Sequence, residues 1–222
     1  MHVSLATIGF TITGIFFGIY AYTFYSFAGK KVQSVLKSFS YAYYSLALAF
    51  LSWGIAAFIG DQNLLNLSVI SGNILLLLST IFLLNIHLHQ NENYRTVGLV
   101  GAFLLALLFL WWRVSYFPPQ PILSNGILIF NTELPVAIVL GLIILLIWLP
   151  TNIKVGRLIS QRVKVNGISF IYSSIYVMAT FAALLFISAR TIPVIILSFT
   201  GIAICFAMLI ASNVVIDKLA KE

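Results

Sequence analysis

Long apolar stretches separated by short polar segments constrain this chain more than any other feature. A helix of about 20 residues crosses the hydrocarbon core of a bilayer, and each stretch reaches or approaches that length. A helix also satisfies its own backbone hydrogen bonds in lipid. The pattern therefore predicts an all-α, polytopic membrane protein, a seven-transmembrane-helix bundle that forms a single domain over residues 1–222. The predicted spans are Val3–Ala28, Phe39–Gly60, Leu64–Ile86, Thr96–Trp112, Pro135–Leu149, Ile168–Ala189 and Ile192–Ile216.

The composition supports a membrane protein. Of the 222 residues, 61% are hydrophobic and 8% are charged, whereas a soluble domain is about 25% charged. The net charge is +7, but the basic residues are concentrated in loops on one side of the spans, so we do not interpret it as nucleic-acid binding. The single cysteine, Cys205, excludes an internal disulfide framework and a Cys-rich metal or iron–sulfur site.

The positions of the basic residues predict the orientation. On one side of the spans lie only Arg113 and Arg190. Because cytoplasmic loops carry an excess of Lys and Arg, we expect the N-terminus outside and the C-terminus in the cytoplasm of a multi-pass plasma-membrane protein. No basic residue precedes the first span, so we expect a retained helix and not a cleaved signal peptide. The basic residues on the predicted cytoplasmic side are Lys30, Lys31, Lys37, Arg95, Lys154, Arg157, Arg162, Lys164, Lys218 and Lys221.

The longest predicted outer loop, Val114–Leu134, joins helices 4 and 5. It holds Pro118, Pro119 and Pro121, which oppose helix. An Asn-Gly dipeptide at 125–126, flanked by apolar residues, is a strong hairpin signal. The loop therefore favours a short β-hairpin or a tucked loop over the outer end of the bundle. An apolar loop resting at the lipid interface is the alternative.

No Asp, Glu, Lys or Arg lies at the middle of a predicted span. This argues against a proton pump or a proton-driven antiporter, which need such residues. The histidines lie at helix ends, the last span has no lysine for a retinal Schiff base, and no serine has a His–acid pair at its depth. We predict a protein that is not an enzyme and has no catalytic residue, metal or cofactor. The five acidic residues are Asp61, Glu92, Glu133, Asp217 and Glu222.

Charged and aromatic side chains cluster at the predicted outer ends of the helices. One interpretation is helix-end anchoring, in which arginines extend to the interface and aromatic rings form a belt. The other is the rim of a ligand-binding pocket beneath the proline-rich loop. The candidate residues are Arg113, Arg190, Glu133, Asp61, Trp112 and Tyr116.

The polar groups inside the spans are uncharged. Such groups usually form hydrogen bonds between helices, at about 0.6–2 kcal/mol each. They are also candidates for lining a cavity that takes an uncharged ligand. The residues in question are Tyr41, Ser45, Asn73 and Asn85.

The topology, together with the Trp53-Gly54 step in the second span, resembles the seven-helix N-terminal membrane module of prokaryotic histidine kinases. The resemblance implies a sensor-type scaffold and supplies no catalytic residues. We expect no kinase or other output domain after the last span, so signalling would need a separate protein partner. The expected partners are therefore the lipid bilayer and a protein that binds the basic cytoplasmic loops.

A facilitator or uniporter for a small neutral solute is the alternative function. The size and layout are similar to those of the sugar uniporter family with three-plus-one-plus-three helices. That family carries a Pro-Gln motif near the inner end of its first helix. Here Pro119-Gln120 lies in the predicted outer loop instead.

Overall fold

The computed structural model describes residues 3–26, 33–89, 92–163 and 168–219, which form seven helices and one two-stranded hairpin. The fifth helix, α5, has three consecutive segments: the α-helix Leu134–Ile143, the π-helix Ile144–Trp148 and the α-helix Leu149–Val163. The other elements are α1 (Leu5–Ser26), α2 (Gln33–Ile59), α3 (Gln62–Leu88), α4 (Glu92–Tyr116), β1 (Ile122–Ser124), β2 (Ile127–Ile129), α6 (Ile168–Ser188) and α7 (Ile192–Leu219).

The helical class predicted from the sequence is confirmed, and within the described residues six helices are long and apolar enough to cross a membrane. The remaining helix, α6, contributes a shorter apolar segment, Ser174–Ser188. Seven spans therefore stay a prediction. The six candidate spans are Leu5–Ser26, Ser34–Ile59, Gln62–Leu88, Tyr94–Tyr116, Leu134–Val155 and Ile192–Leu209.

The chain divides into two compact units, Met1–Val136 and Ala137–Glu222. In the first unit, α2 packs against both α1 and α3, and α4 packs against α3. In the second, α6 packs against α5 and α7. The single domain over 1–222 stays a prediction.

Small residues let the helices of the first unit approach closely. A Cβ built on Gly14 of α1 lies 2.8 Å from Leu51 Cγ of α2. A Cβ built on Gly72 of α3 lies 2.5 Å from Trp53 Cζ2. Helices in lipid associate through such close packing because hydrophobic burial between them gains little.

Aromatic rings fill the interface between α1 and α2 along most of its length. This aromatic ladder pairs one ring from each helix at successive levels. Aromatic pairs in these geometries add about 0.5–1.5 kcal/mol beyond the area they bury. The ring centroids are 5.7 Å apart for Phe10–Trp53, 5.2 Å for Phe17–Phe50, 4.9 Å for Tyr20–Tyr43 and 4.8 Å for Phe24–Phe39.

A two-residue connection between α2 and α3 marks one end of the first unit. Gly60 has a φ of +73° and closes α2 by donating its N–H to Ala56 O at 2.9 Å. Asp61 then caps α3 by accepting from the Leu64 N–H at 3.0 Å. We call this the hairpin end, because the β-hairpin lies here, and we call the opposite end of α1–α4 the network end.

Helix α5 continues past Pro150, although the predicted fifth span ends at Leu149. The helix runs on to Val163. Proline lacks an N–H and opposes the regular helical bond to the residue four back. The π-helix just before it accommodates this, and the Leu149 N–H bonds to Ile144 O, five residues back.

Two buried polar side chains support the backbone around Pro150. Thr151 Oγ1 donates to Ile147 O at 2.6 Å, and Asn152 Nδ2 donates to Trp148 O at 2.8 Å. Both bonds run to the carbonyl four residues back on the same helix. The buried polar atoms of these two side chains therefore have acceptors within α5.

Candidate functional site

The Asn-Gly segment forms the predicted β-hairpin. Strands β1 and β2 pair antiparallel, with Ser124 opposite Ile127. Asn125 and Gly126 have φ values of 50° and 74°. Two consecutive positive φ angles are typical of the type I′ turn that matches strand twist in a two-residue hairpin.

The hairpin is attached to the helices by two backbone-directed hydrogen bonds. The Ala6 N–H at the start of α1 donates to Gly126 O at 2.8 Å. Gln62 Nε2 at the start of α3 donates to Pro121 O at 2.9 Å. These bonds hold the turn and the leading strand at the hairpin end of the first unit.

Aromatic packing holds the other side of the hairpin. Phe130, directly after β2, has its ring centroid 4.8 Å from Trp53 and 5.9 Å from Phe10. Leu128, two residues earlier on the same face of the strand, is 1% exposed. The hairpin therefore extends the aromatic ladder, a role that the sequence analysis did not assign to Phe130.

Arg113 is the side chain at this end that most needs an explanation. It lies in the last turn of α4 and is only 2% exposed. Neither its Nε nor its Nη1 has a hydrogen-bond partner among the described residues. An anchoring arginine keeps its charged head in water, which this buried guanidinium does not do.

Glu133, directly before α5, is an acidic residue that interacts with Arg113. Its carboxylate interacts electrostatically with the guanidinium, yet Glu133 itself is exposed. It leaves Nε and Nη1 of Arg113 unbonded. Asp61, the other predicted acidic residue at this end, has one carboxylate oxygen committed to the cap of α3.

The remaining predicted residues of this cluster are aromatic or lie in the second unit. Trp112 is half-buried, with its ring 4.9 Å from Phe117. Tyr116 is exposed and lies edge-on to Trp111 at 5.9 Å. Arg190 is exposed and falls between α6 and α7 of the second unit. The structure thus brings Arg113 and Glu133 into interaction, and the pocket role of the six residues stays a prediction.

The four predicted cavity-lining residues occupy different environments. Tyr41 is 42% exposed, with its ring 5.6 Å from Phe82. Ser45 is buried and donates to the Tyr41 carbonyl of its own helix at 3.0 Å. Asn73 is buried, and Asn85 is half-buried and forms part of the polar network described next. Their role as a cavity lining stays a prediction.

A polar network joins three helices at the network end. Asn85 of α3 donates from Nδ2 to Ser38 Oγ of α2 at 2.8 Å and accepts at Oδ1 from Arg95 Nε of α4, also at 2.8 Å. One turn further on, His89 Nε2 lies 2.8 Å from Ser34 Oγ. The sequence analysis noted Asn85 but missed Arg95 and Ser38 as its partners. Ser38, Asn85 and Arg95 all lie at or next to the predicted cytoplasmic ends of their spans, and this shared position was the signal available in the sequence.

Comparison with known proteins adds no relative. No protein-family model, curated protein or solved structure matches the chain. Among the described residues, no group of three or more His, Cys, Asp or Glu side chains is placed to hold a metal ion.

Proposed function

We propose that this chain is a sensor-like integral membrane protein that binds a ligand at its hairpin end and acts through a separate protein partner. It crosses the plasma membrane seven times, with the N-terminus and the hairpin outside and the C-terminus in the cytoplasm. The observation that carries the proposal is the buried Arg113, whose Nε and Nη1 are unbonded among the described residues.

The energetics of Arg113 favour a functional role over a structural one. A buried charge without a bonded partner costs several kcal/mol, and each unsatisfied buried donor adds about 1–3 kcal/mol. The exposed Glu133 offsets part of the charge through solvent but none of the two missing hydrogen bonds. Buried polar groups without a hydrogen-bond partner are rare in native structures, and a functional role is one explanation for them.

The network end supplies a route from the ligand to the cytoplasm. Helix α4 carries Arg113 at one end and Arg95 at the other. Through Asn85, Arg95 is joined to α3 and α2. A ligand that shifts α4 at the hairpin end would change the bonds that join the three helices at the network end.

The predicted cytoplasmic side offers a basic surface for a partner. In the second unit, α5 carries an exposed Arg157 beyond its candidate span Leu134–Val155. Basic residues next to a membrane attract anionic surfaces, whether lipid or protein.

The test is to purify the tagged protein from its native membranes in mild detergent and identify co-purifying proteins by mass spectrometry. We expect a partner to co-purify in stoichiometric amount. The amount of this partner should fall when Lys154 and Arg157 are both changed to Gln. An Asn66→Ala variant is the matched control, since it changes a polar residue at the hairpin end. A solitary protein that conducts neutral solutes in liposomes would contradict the proposal and favour the facilitator.

A further inference from the structure

We propose that the ligand at the hairpin end presents a single carboxylate group to Arg113. The inference rests on the proposed function and gives that site a ligand class. It is carried by the burial of the guanidinium, by its two unbonded nitrogens and by the charges around it.

The chemistry of the guanidinium selects an anionic oxygen acceptor. Arg113 has only N–H donors, and no described residue accepts from Nε or Nη1. Hydrogen bonds from a charged donor to a charged acceptor are roughly twice as strong as neutral ones. The planar guanidinium also matches the planar geometry of a carboxylate.

The charge of Arg113 still needs a close partner. Glu133 is exposed, so water and salt screen its attraction for the buried cation. A neutral acceptor would complete the hydrogen bonds and leave this charge largely uncompensated. An anion meets both needs.

The number of acidic groups at this end limits the ligand to one negative charge. Among the described residues of the first unit, Arg113 is the cation of the hairpin end, and Asp61 and Glu133 are both carboxylates there. A dianion such as phosphate would face two like charges, which oppose its entry. A monocarboxylate adds the smallest repulsion that still neutralises the guanidinium.

The experiment compares acids with their amides on the full-length protein in phosphatidylcholine nanodiscs. Acetate and butyrate are titrated against acetamide and butyramide, with inorganic phosphate as a third arm, and thermal stability is the readout. We expect saturable stabilisation by the carboxylates alone. Arg113→Met should weaken it by about tenfold or more, as expected for a lost charge-assisted hydrogen bond.

Two further variants make the result specific to charge and geometry. Arg113→Lys keeps the charge and loses the planar donor array, so binding should fall between wild type and Arg113→Met. Glu133→Gln removes the competing carboxylate, so the same acids should bind more tightly than to wild type. A purely structural Arg113–Glu133 pair would give the opposite sign for Glu133→Gln.

The outcomes separate this inference from the proposed function. Equal stabilisation by amides and acids, lost in Arg113→Met, would overturn the carboxylate and leave a ligand site at Arg113. No stabilisation by either acid would overturn the inference, while a co-purifying partner would still support the proposed function. Nanodiscs that contain phosphatidylserine test whether the carboxylate comes from a lipid headgroup or from a free acid. If the headgroup carboxylate occupies the site, the protein should be more stable before any acid is added, and acetate should have a smaller effect.

Discussion

Glycine sets the distance between α2 and α3 at a single point, where Trp53 crosses Gly72. The indole Nε1 donates to Ser68 O at 2.9 Å, which fixes the ring over the glycine. Any Cβ at position 72 would meet three atoms of that ring at 2.5–2.6 Å. The Trp53-Gly54 step is thus a packing feature as well, because Gly54 faces Thr11 of α1, with a Cβ position 2.8 Å from Thr11 Oγ1.

We expect Gly72→Ala to destabilise the protein by about 1–3 kcal/mol, the usual effect of overpacking a tight core. Thermal unfolding in detergent measures it. Gly101→Ala is the matched control, since nothing lies within 4 Å of a Cβ at that helical position. Alanine there should be neutral or stabilise by up to about 1 kcal/mol. Equal losses in both variants would contradict this packing.

The network end makes a second residue-level prediction. Asn85→Ala removes one donor and one acceptor that bridge three helices and leaves Arg95 Nε without that partner. We expect a loss of about 1–3 kcal/mol, since a partly satisfied network retains its desolvation cost. Asn66→Ala is the control, because the Asn66 Oδ1 accepts from Gln62 Nε2 in an exposed pair within one helix, at 3.1 Å. A smaller loss for Asn85→Ala than for Asn66→Ala would show that the network is weak.

The sequence predicted which polar residues lie near the ends of the helices but not their environments. Arg113 follows two tryptophans at the end of an apolar run, and that pattern is typical of an exposed anchor. Its burial depends on packing among segments that are distant in sequence. Asn85 lay on the predicted helix, but its bond to Arg95 depends on how the chain turns between α3 and α4.

Among the elements, the hairpin was the most predictable. Asn125-Gly126 supplies two positive φ angles, which few other dipeptides adopt without strain. The π-helix before Pro150 was not predictable, because proline signals a break, whereas the helix continues through a backbone bond to the residue five back. The turn depends on two adjacent residues, whereas the continuity of the helix depends on a change in the hydrogen-bond pattern that no single residue type signals.

The turn of the hairpin can be tested by one substitution. Gly126→Ala places a Cβ on a residue at φ +74° and brings it to 3.4 Å from Ser4 Cβ. We expect faster amide hydrogen exchange across β1 and β2, because the strained turn weakens the bond to Ala6. Asn125→Gly is the control, since glycine adopts a positive φ freely. Unchanged exchange in Gly126→Ala would contradict the type I′ turn.

At the scale of the whole molecule, the proposed orientation makes opposite predictions for the two ends of the first unit. On a Cys205→Ser background, Ile122→Cys and Tyr94→Cys place thiols at exposed positions, 52% and 67% exposed in the native residues. A membrane-impermeant maleimide applied to intact cells should label position 122 and not position 94. Labelling of position 94 alone would reverse the orientation and place the hairpin in the cytoplasm.

The proposed function requires that Arg113 serves a ligand and not the stability of the fold. Its most direct test is the thermal stability of Arg113→Met without ligand, beside Arg157→Met as an exposed control. Removing a buried charge that is only partly compensated relieves its desolvation cost, which is several kcal/mol per ion in proteins. We therefore expect a melting temperature equal to or above that of wild type. A fall equivalent to about 3–5 kcal/mol, as when one partner of a buried ion pair is removed, would make Arg113 a structural residue and contradict the proposed function.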